Sequence, residues 1–258
     1  MSTLDQHIKQ GVCLLTLQRP DKYNAFNREL SMELQSALSS AHSNEDVRAI
    51  VLTGAGKAFC SGQDLGEAID PQGVGLDRIL SEHYNPLVRL MRSVMKPIVV
   101  AVNGVAAGAG ANLALTGDIV LASEHATFIQ AFANIGLVPD TGGTWTLPRL
   151  VGPGRASAWM MLGDKISAQE AQQAGMIYRV CPADRLQDEA MQIALRLAQA
   201  PTKAFALTKQ ALNASVFAGL DAQLELERAL KNQAGASHDF AEGVQAFLEK
   251  RRPVFTGK

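Results

Sequence analysis

Apolar positions along this chain follow two rhythms. Residues 12–17, 49–53, 98–102 and 119–122 are short runs rich in Val, Ile and Leu, with the length and near-continuous apolarity of strands buried on both faces. Residues 28–42 and 76–95 instead carry helical patterns. Strands alternating with helices predict an α/β core. Beyond Pro153 strand signals nearly vanish, and the pattern predicts successive helices at 167–174, 183–198, 201–216, 220–234 and 239–250. Ser167 with Glu170 three residues later forms a capping box, and Pro201 suits a first helical turn. No low-complexity linker interrupts the chain. The expected organisation is a core over 1–195 and a helical region over 196–258.

Composition narrows the class. With 258 residues, 47% of them apolar, the chain can bury a full core. Its net charge is -1, with Lys and Arg scattered, so neither a nucleic-acid nor a membrane-surface partner is expected. Residues 97–117 carry no charge and are long enough to raise the question of a membrane span. Asn103, Asn112 and Thr116, with glycines at 104, 108 and 110, argue instead for a buried strand followed by a small-residue helix. Cys13, Cys60 and Cys181 are odd in number, far apart and without a CxxC, so reduced thiols are expected. The start, Met-Ser-Thr-Leu-Asp-Gln, has neither a basic nor an apolar signal region, and cytoplasm is the expected location. The five His stand apart without ligand spacing, so no metal is expected.

Two glycine-marked stretches carry the candidate chemistry. Asn103-Gly-Val-Ala-Ala-Gly-Ala-Gly-Ala-Asn112 bares backbone N–H groups, and Gly136-Leu-Val-Pro-Asp-Thr-Gly-Gly143 holds one acid, Asp140. By spacing alone Asp140 reads either as a complement to a helix start or, if Phe132, Leu137 and Trp145 enclose it, as a general base. A third stretch, Phe59-Cys-Ser-Gly-Gln-Asp-Leu65, reads either as an ordinary turn capped by Asp64 or as a second supplier of N–H groups to an oxyanion hole. Gly54-Ala-Gly-Lys57 is only a fragment of a phosphate loop, since Ala58 replaces the Ser or Thr. Neither GxGxxG nor GxSxG occurs.

Together with Arg19-Pro-Asp-Lys-Tyr-Asn-Ala-Phe26 and the tail Phe247 to Lys258, these stretches resemble the crotonase family, the enoyl-CoA hydratases and isomerases, over essentially the whole chain. The resemblance implies a spiral of ββα repeats with a helical C-terminal trimerisation region, and a homotrimer or a dimer of trimers. It implies an acyl-CoA substrate and no cofactor, coenzyme A being part of the substrate. Carried over by position, Gln63 and Ala109 donate the oxyanion-hole N–H groups and Asp140 is the acid/base. Lys22, Ala25, Ser61, Asp64, Leu65, Tyr84, Gly110 and Phe132 fall at substrate-binding positions, and a neighbour's Phe255 and Lys258 cover the CoA.

The departures are informative. Where the family's hydratases carry two glutamates, this chain has Asn112 and Phe132. Neither can replace a carboxylate. The remaining lone acid suits isomerisation, and Ser61-Gly-Gln-Asp-Leu65 with Gly136 to Trp145 resembles the members that isomerise ring-1,2-epoxyphenylacetyl-CoA. Alternatives left open are a 3-enoyl to 2-enoyl isomerase, a hydratase and a non-catalytic RNA-binding member of the fold.

Overall fold

The computed structural model describes residues 2–258. Its strands are β1 (Leu4–Lys9), β2 (Val12–Leu17), β3 (Ala49–Gly54), β4 (Ala58–Cys60), β5 (Ile98–Val102), β6 (Val105–Ala107), β7 (Ile119–Ser123), β8 (Thr127–Ile129), β9 (Lys165–Ser167) and β10 (Arg179–Cys181). Its helices are α1 (Arg28–Ser43), α2 (Leu65–Ala68), α3 (Gly75–Arg78), α4 (Asn85–Ser93), α5 (Ala109–Ala114), α6 (Gly143–Val151), α7 (Pro153–Leu162), α8 (Ala168–Gln173), α9 (Leu186–Ala198), α10 (Thr202–Ser215), α11 (Leu220–Gly235) and α12 (His238–Leu248).

The strands form two sheets. The larger runs β1-β2-β3-β5-β7-β10, all neighbours parallel except β1 with β2; the smaller runs β4-β6-β8-β9, parallel except β8 with β9. Three times the chain lays a strand in the large sheet, then one in the small sheet, and then turns helical: β3 to β4, β5 to β6, β7 to β8. This is the expected spiral of ββα turns.

The continuous apolar runs are explained by burial on both faces. Ile50, Leu52, Ile98 and Val100 join the main core, whereas the alternate positions Val51, Val99 and Leu121 pack with Leu186, Ala190, Ala194 and Ala198 of α9. Helix α1 is capped by Asn27, whose side chain accepts from Leu30 N at 3.0 Å, and it buries Leu30, Leu34, Ala37, Leu38 and Ala41 along one stripe.

Several expectations need correction. The helix expected over 76–95 is broken by a π-helical turn, Ile79–Tyr84, between α3 and α4. Gln35 of α1 donates to the carbonyls of Glu82 (2.8 Å) and His83 (3.1 Å), which satisfies acceptors that a π turn leaves irregular. Strands do continue beyond Pro153, as β9 and β10, each only three residues long and too short for a periodic signal. Helix α9 begins at Leu186 rather than Ala183, and it runs through the expected boundary at 195/196. Pro201 is the N-cap of α10, not its first turn. Ser167 does cap α8, accepting from Glu170 N.

The C-terminal helices and tail are fastened to the core by partly buried polar contacts. Lys209 of α10 pairs with Asp118 at 2.9 Å, and Arg48 donates to Thr202 Oγ1 (2.9 Å) and to the Phe255 carbonyl (2.8 Å). Among the described residues no helix is long and apolar enough to cross a membrane.

Candidate active site

Parallel pairing in the small sheet brings the C-terminal ends of β4, β6 and β8 side by side, since Cys60 pairs with Ala106 and Ala107 with Ile129. The loops leaving those three ends therefore meet, as loops at the carboxyl ends of parallel strands generally do to form binding crevices. They supply Gln63, then Gly108 and Ala109, then Phe132. Between them lies a cavity of about 200 Å³, which Ser61, Gln63, Leu65, Ala109, Phe132 and Asp140 line together with Asn134, Ile135 and Leu137.

Two backbone N–H groups are free at this cavity. Phe26 N donates to the Gly62 carbonyl at 2.7 Å, and Asp64 N donates to the Phe26 carbonyl at 2.8 Å. This parallel bridge uses the peptides on either side of Gln63 and turns the Gln63 N–H away from Phe26, with no acceptor among the described residues. Ala109 N opens α5, where the first N–H groups of a helix have no partner within it.

Glycine makes the approach of these groups possible. Gly62 has φ +94°, and a Cβ there would stand 2.8 Å from the Ala107 carbonyl oxygen and 3.5 Å from Ala109 N. A Cβ at Gly110 would collide with Cys60. Gly110 thus serves the site by letting α5 sit against β4 rather than by lining the cavity.

Asp140 precedes α6, and its carbonyl accepts from Gly143 N at 2.8 Å. Burial pushes its carboxyl above the ordinary aspartate range, opposed by a 2.7 Å hydrogen bond from Thr141 Oγ1 and by its own N–H. Thr141 is buried with φ +51°, a left-handed conformation that costs a β-branched residue about 1–2 kcal/mol. Strain of this kind persists only where surrounding structure enforces it.

Enclosure of Asp140 comes from Phe132 and Leu137 but not from Trp145. Because α6 starts at Gly143, Trp145 already faces another cavity, where Arg92 and Arg149 lie 5.8 and 4.6 Å from its ring. Phe132 is buried and packs over the Gly108 turn. Asn112, fully buried, donates to the Asp140 carbonyl at 2.8 Å.

Of the other expected site residues, Ser61 and Leu65 line the cavity, and Lys22, Ala25, Asp64 and Tyr84 do not. The Lys22 carbonyl accepts from Ser61 Oγ at 3.4 Å, and the Ala25 carbonyl accepts from Arg19. Asp64 caps α2 through Gly66 N (3.1 Å) and pairs with Arg19 at 2.9 Å. Tyr84 is buried against Phe26 with ring centroids 5.8 Å apart; burial, with Asp140 adding to it, pushes its phenol well up. Phe255 lies against α12, and Lys258 pairs with Glu45 at 3.1 Å, both on their own chain and outside this cavity. Asn134 and Ile135 also line the cavity, and no spacing in the sequence distinguishes them from other loop residues.

The arrangement can polarise a carbonyl oxygen with two N–H groups and exchange a proton at a neighbouring carbon with one carboxylate.

Residues 7–258 match the enoyl-CoA hydratase/isomerase family model. The chain is 48% identical to the 1,2-epoxyphenylacetyl-CoA isomerase of Escherichia coli (strain K12), with all of both chains covered. It is also 48% identical to a probable enoyl-CoA hydratase of Rhodobacter capsulatus, with 99% of this chain and 98% of that one covered. A crystal structure of a putative enoyl-CoA hydratase/isomerase from Mycobacterium abscessus superposes with a TM-score of 0.94 at 39% identity, covering 99% of this chain and 100% of the other. With the ββα spiral, the paired N–H groups and a match over nearly its whole length, the chain belongs to the enoyl-CoA hydratase/isomerase family and has the crotonase fold.

Proposed function

We propose that this protein isomerises acyl-CoA thioesters, and that its substrate is ring-1,2-epoxyphenylacetyl-CoA, converted to oxepin-CoA in aerobic phenylacetate breakdown. The observation that carries this reading is the pairing of two free N–H groups, on Gln63 and Ala109, with Asp140, the one carboxylate that lines their cavity among the described residues. The full-length relative named for this reaction supports it.

In this reading the thioester oxygen accepts from Gln63 and Ala109, which acidifies the α-carbon. Asp140 takes an α-proton, and the electron pair moves onto the oxygen as an enolate. The bond between the two epoxide carbons opens to the seven-membered ring, and the proton returns to a ring carbon. Nothing is gained or lost, so the balance needs no redox partner, metal or cofactor beyond the CoA that the substrate carries. Hydration is disfavoured because it asks for a second carboxylate to activate water, where Asn112 and Phe132 stand. The 3-enoyl to 2-enoyl isomerisation uses the same single acid and is the second reading.

The protein is further read as a cytoplasmic homotrimer or dimer of trimers. Leu212, Phe217, Leu220, Leu224 and Phe247, exposed on or beside the C-terminal helices, support association between copies. A neighbour's Phe255 and Lys258 then cover the CoA.

The test is to generate the epoxide in situ, add the protein and follow oxepin-CoA as a chromatographic shift without change of mass, with a straight-chain 3-enoyl-CoA run in parallel. Oxepin-CoA formation supports the reading. Turnover of the 3-enoyl-CoA alone transfers the assignment to fatty-acid breakdown, and hydration of a 2-enoyl-CoA at comparable rate overturns it.

A further inference from the structure

Asn112 has a position unlike any other polar residue near the cavity. It is fully buried on α5, one turn after Ala109, and its Nδ2 donates to the carbonyl of Asp140 at 2.8 Å. Its Oδ1 accepts from Nε2 of Gln130, also buried, at 2.8 Å. Gln130 directly follows β8, and the last carbonyl of that strand, on Ile129, accepts from Gly108 N at 2.9 Å. The segment that bears the oxyanion donor and the segment that bears the carboxylate are thus tied by one chain of buried hydrogen bonds, Gln130 to Asn112 to Asp140.

We propose that Asn112 and Gln130 are positioning residues that set the distance and angle between the Ala109 N–H and the Asp140 carboxylate. This rests on Asp140 being the base. An amide suits the task because it donates at one end and accepts at the other, and it adds no charge beside Asp140. Asn112, buried and bonded at both its Nδ2 and its Oδ1, is held to one orientation, whereas Gln130 is held only through its Nε2, its buried Oε1 having no partner among the described residues. The Asp140 carbonyl also accepts from Gly143 N, so two donors fix the peptide from which the carboxylate projects. Thr141, next along, is kept in its left-handed conformation. Proton transfer at carbon is sensitive to such placement: displacement by about 1 Å costs about 100-fold in rate.

The test uses Asn112→Leu, which keeps the volume and loses both hydrogen bonds, and Gln130→Met, which keeps the length and loses the donor to Asn112. Three quantities are read: kcat and KM for isomerisation, the Kd of unreactive phenylacetyl-CoA, and exchange of its α-protons in D2O. The last reports Asp140 acting as base whichever acyl group is isomerised. The expected result for Asn112→Leu is a fall in kcat and in exchange of about 10- to 100-fold, with KM and Kd within about twofold of wild type, and a smaller fall of the same kind for Gln130→Met.

A lowered Tm with unchanged kcat and exchange makes the pair merely structural and overturns the proposal. Equal changes in kcat and Kd make it a binding element and overturn it too. If Asn112→Leu does not fold, Gln130→Met decides alone. Exchange by wild type without oxepin-CoA formation overturns the substrate and leaves this inference standing; wild type silent in every assay removes Asp140 as base, and the inference with it.

Discussion

Two aspartates stand on two of the three loops that meet around the cavity, and their surroundings push them in opposite directions. Asp64 lies between Gln63 and Leu65 in the bend after β4. Arg19 beside it, with Gly66 N at its cap position, holds its carboxyl below the usual range against the opposing effect of burial. Asp140, in the loop before α6, has apolar Phe132 and Leu137 beside it in the cavity and is offered a hydroxyl rather than a cation, so burial prevails and its carboxyl is pushed up. A carboxylate tied to a guanidinium is a weak base already engaged, whereas one raised by burial gains from taking a proton. The bend that contributes a free N–H therefore has its acid neutralised, and the loop that contributes the acid has it left available.

The largest effect that sharpens this contrast is expected from Asp140→Asn. Loss of the base should reduce kcat about 10³- to 10⁴-fold, with KM for the CoA ester within about threefold of wild type, measured by steady-state kinetics. A comparable loss from Asp64→Asn would break the comparison.

Next in size is Arg19→Met. Arg19 donates to both Asp64 and the Ala25 carbonyl, so this change leaves Asp64 with Gly66 N alone and takes the Arg19 donor from the Ala25 carbonyl, at about 2 kcal/mol of stability in denaturant titration. The bend should loosen, raising KM more than it lowers kcat.

The acid side of the pH profile tests the electrostatics directly. The limb of kcat/KM set by Asp140 should lie above the ordinary aspartate pKa, and Thr141→Val should move it higher, because the hydroxyl is one of the two donors, with the Asp140 N–H, that hold the value down. A limb that moves down, or not at all, removes Thr141 from the account. Stability follows the same logic. The folded state binds the Asp140 proton more tightly than the unfolded chain does, so stability falls as pH rises from the unfolded pKa through the raised folded one. Asp140→Asn should then gain in Tm relative to wild type as pH rises through that window, and no gain should appear below it. The smallest effect is expected from Asp64→Asn, where Asn still caps α2: about 1 kcal/mol of stability lost, with turnover near wild type.

Much of this site was legible because its chemistry is local. A single acid in a glycine-marked loop and two glycine-marked bends can be read as they stand, and Gln63, Ala109, Ser61, Leu65, Phe132 and Asp140 do line one cavity. What escaped reading was every relation between distant segments. The strands β4, β6 and β8 have three residues each, too few for periodicity, yet their register assembles the cavity. Trp145 looked like part of the enclosure from its spacing to Asp140, but the start of α6 at Gly143 carries it to the far side. In the sequence Asn112 shows only as the absence of a glutamate, because its bond is to a carbonyl 28 residues away.

The alternation of buried strands and helices, the helical C-terminal third, the family and the presence of a lone acid in a glycine-marked loop follow from the sequence, because these depend on residue type and on spacing within one segment. Folding in three dimensions fixes which N–H groups stay free, which aspartate is paired with a cation and which keeps an unpaired carboxyl raised by burial. Hydrogen-bond satisfaction, burial and ion pairing are set by partners from elsewhere in the chain, such as Arg19 for Asp64 and Asn112 for the Asp140 loop, and those partners meet only when the two sheets are stacked in register.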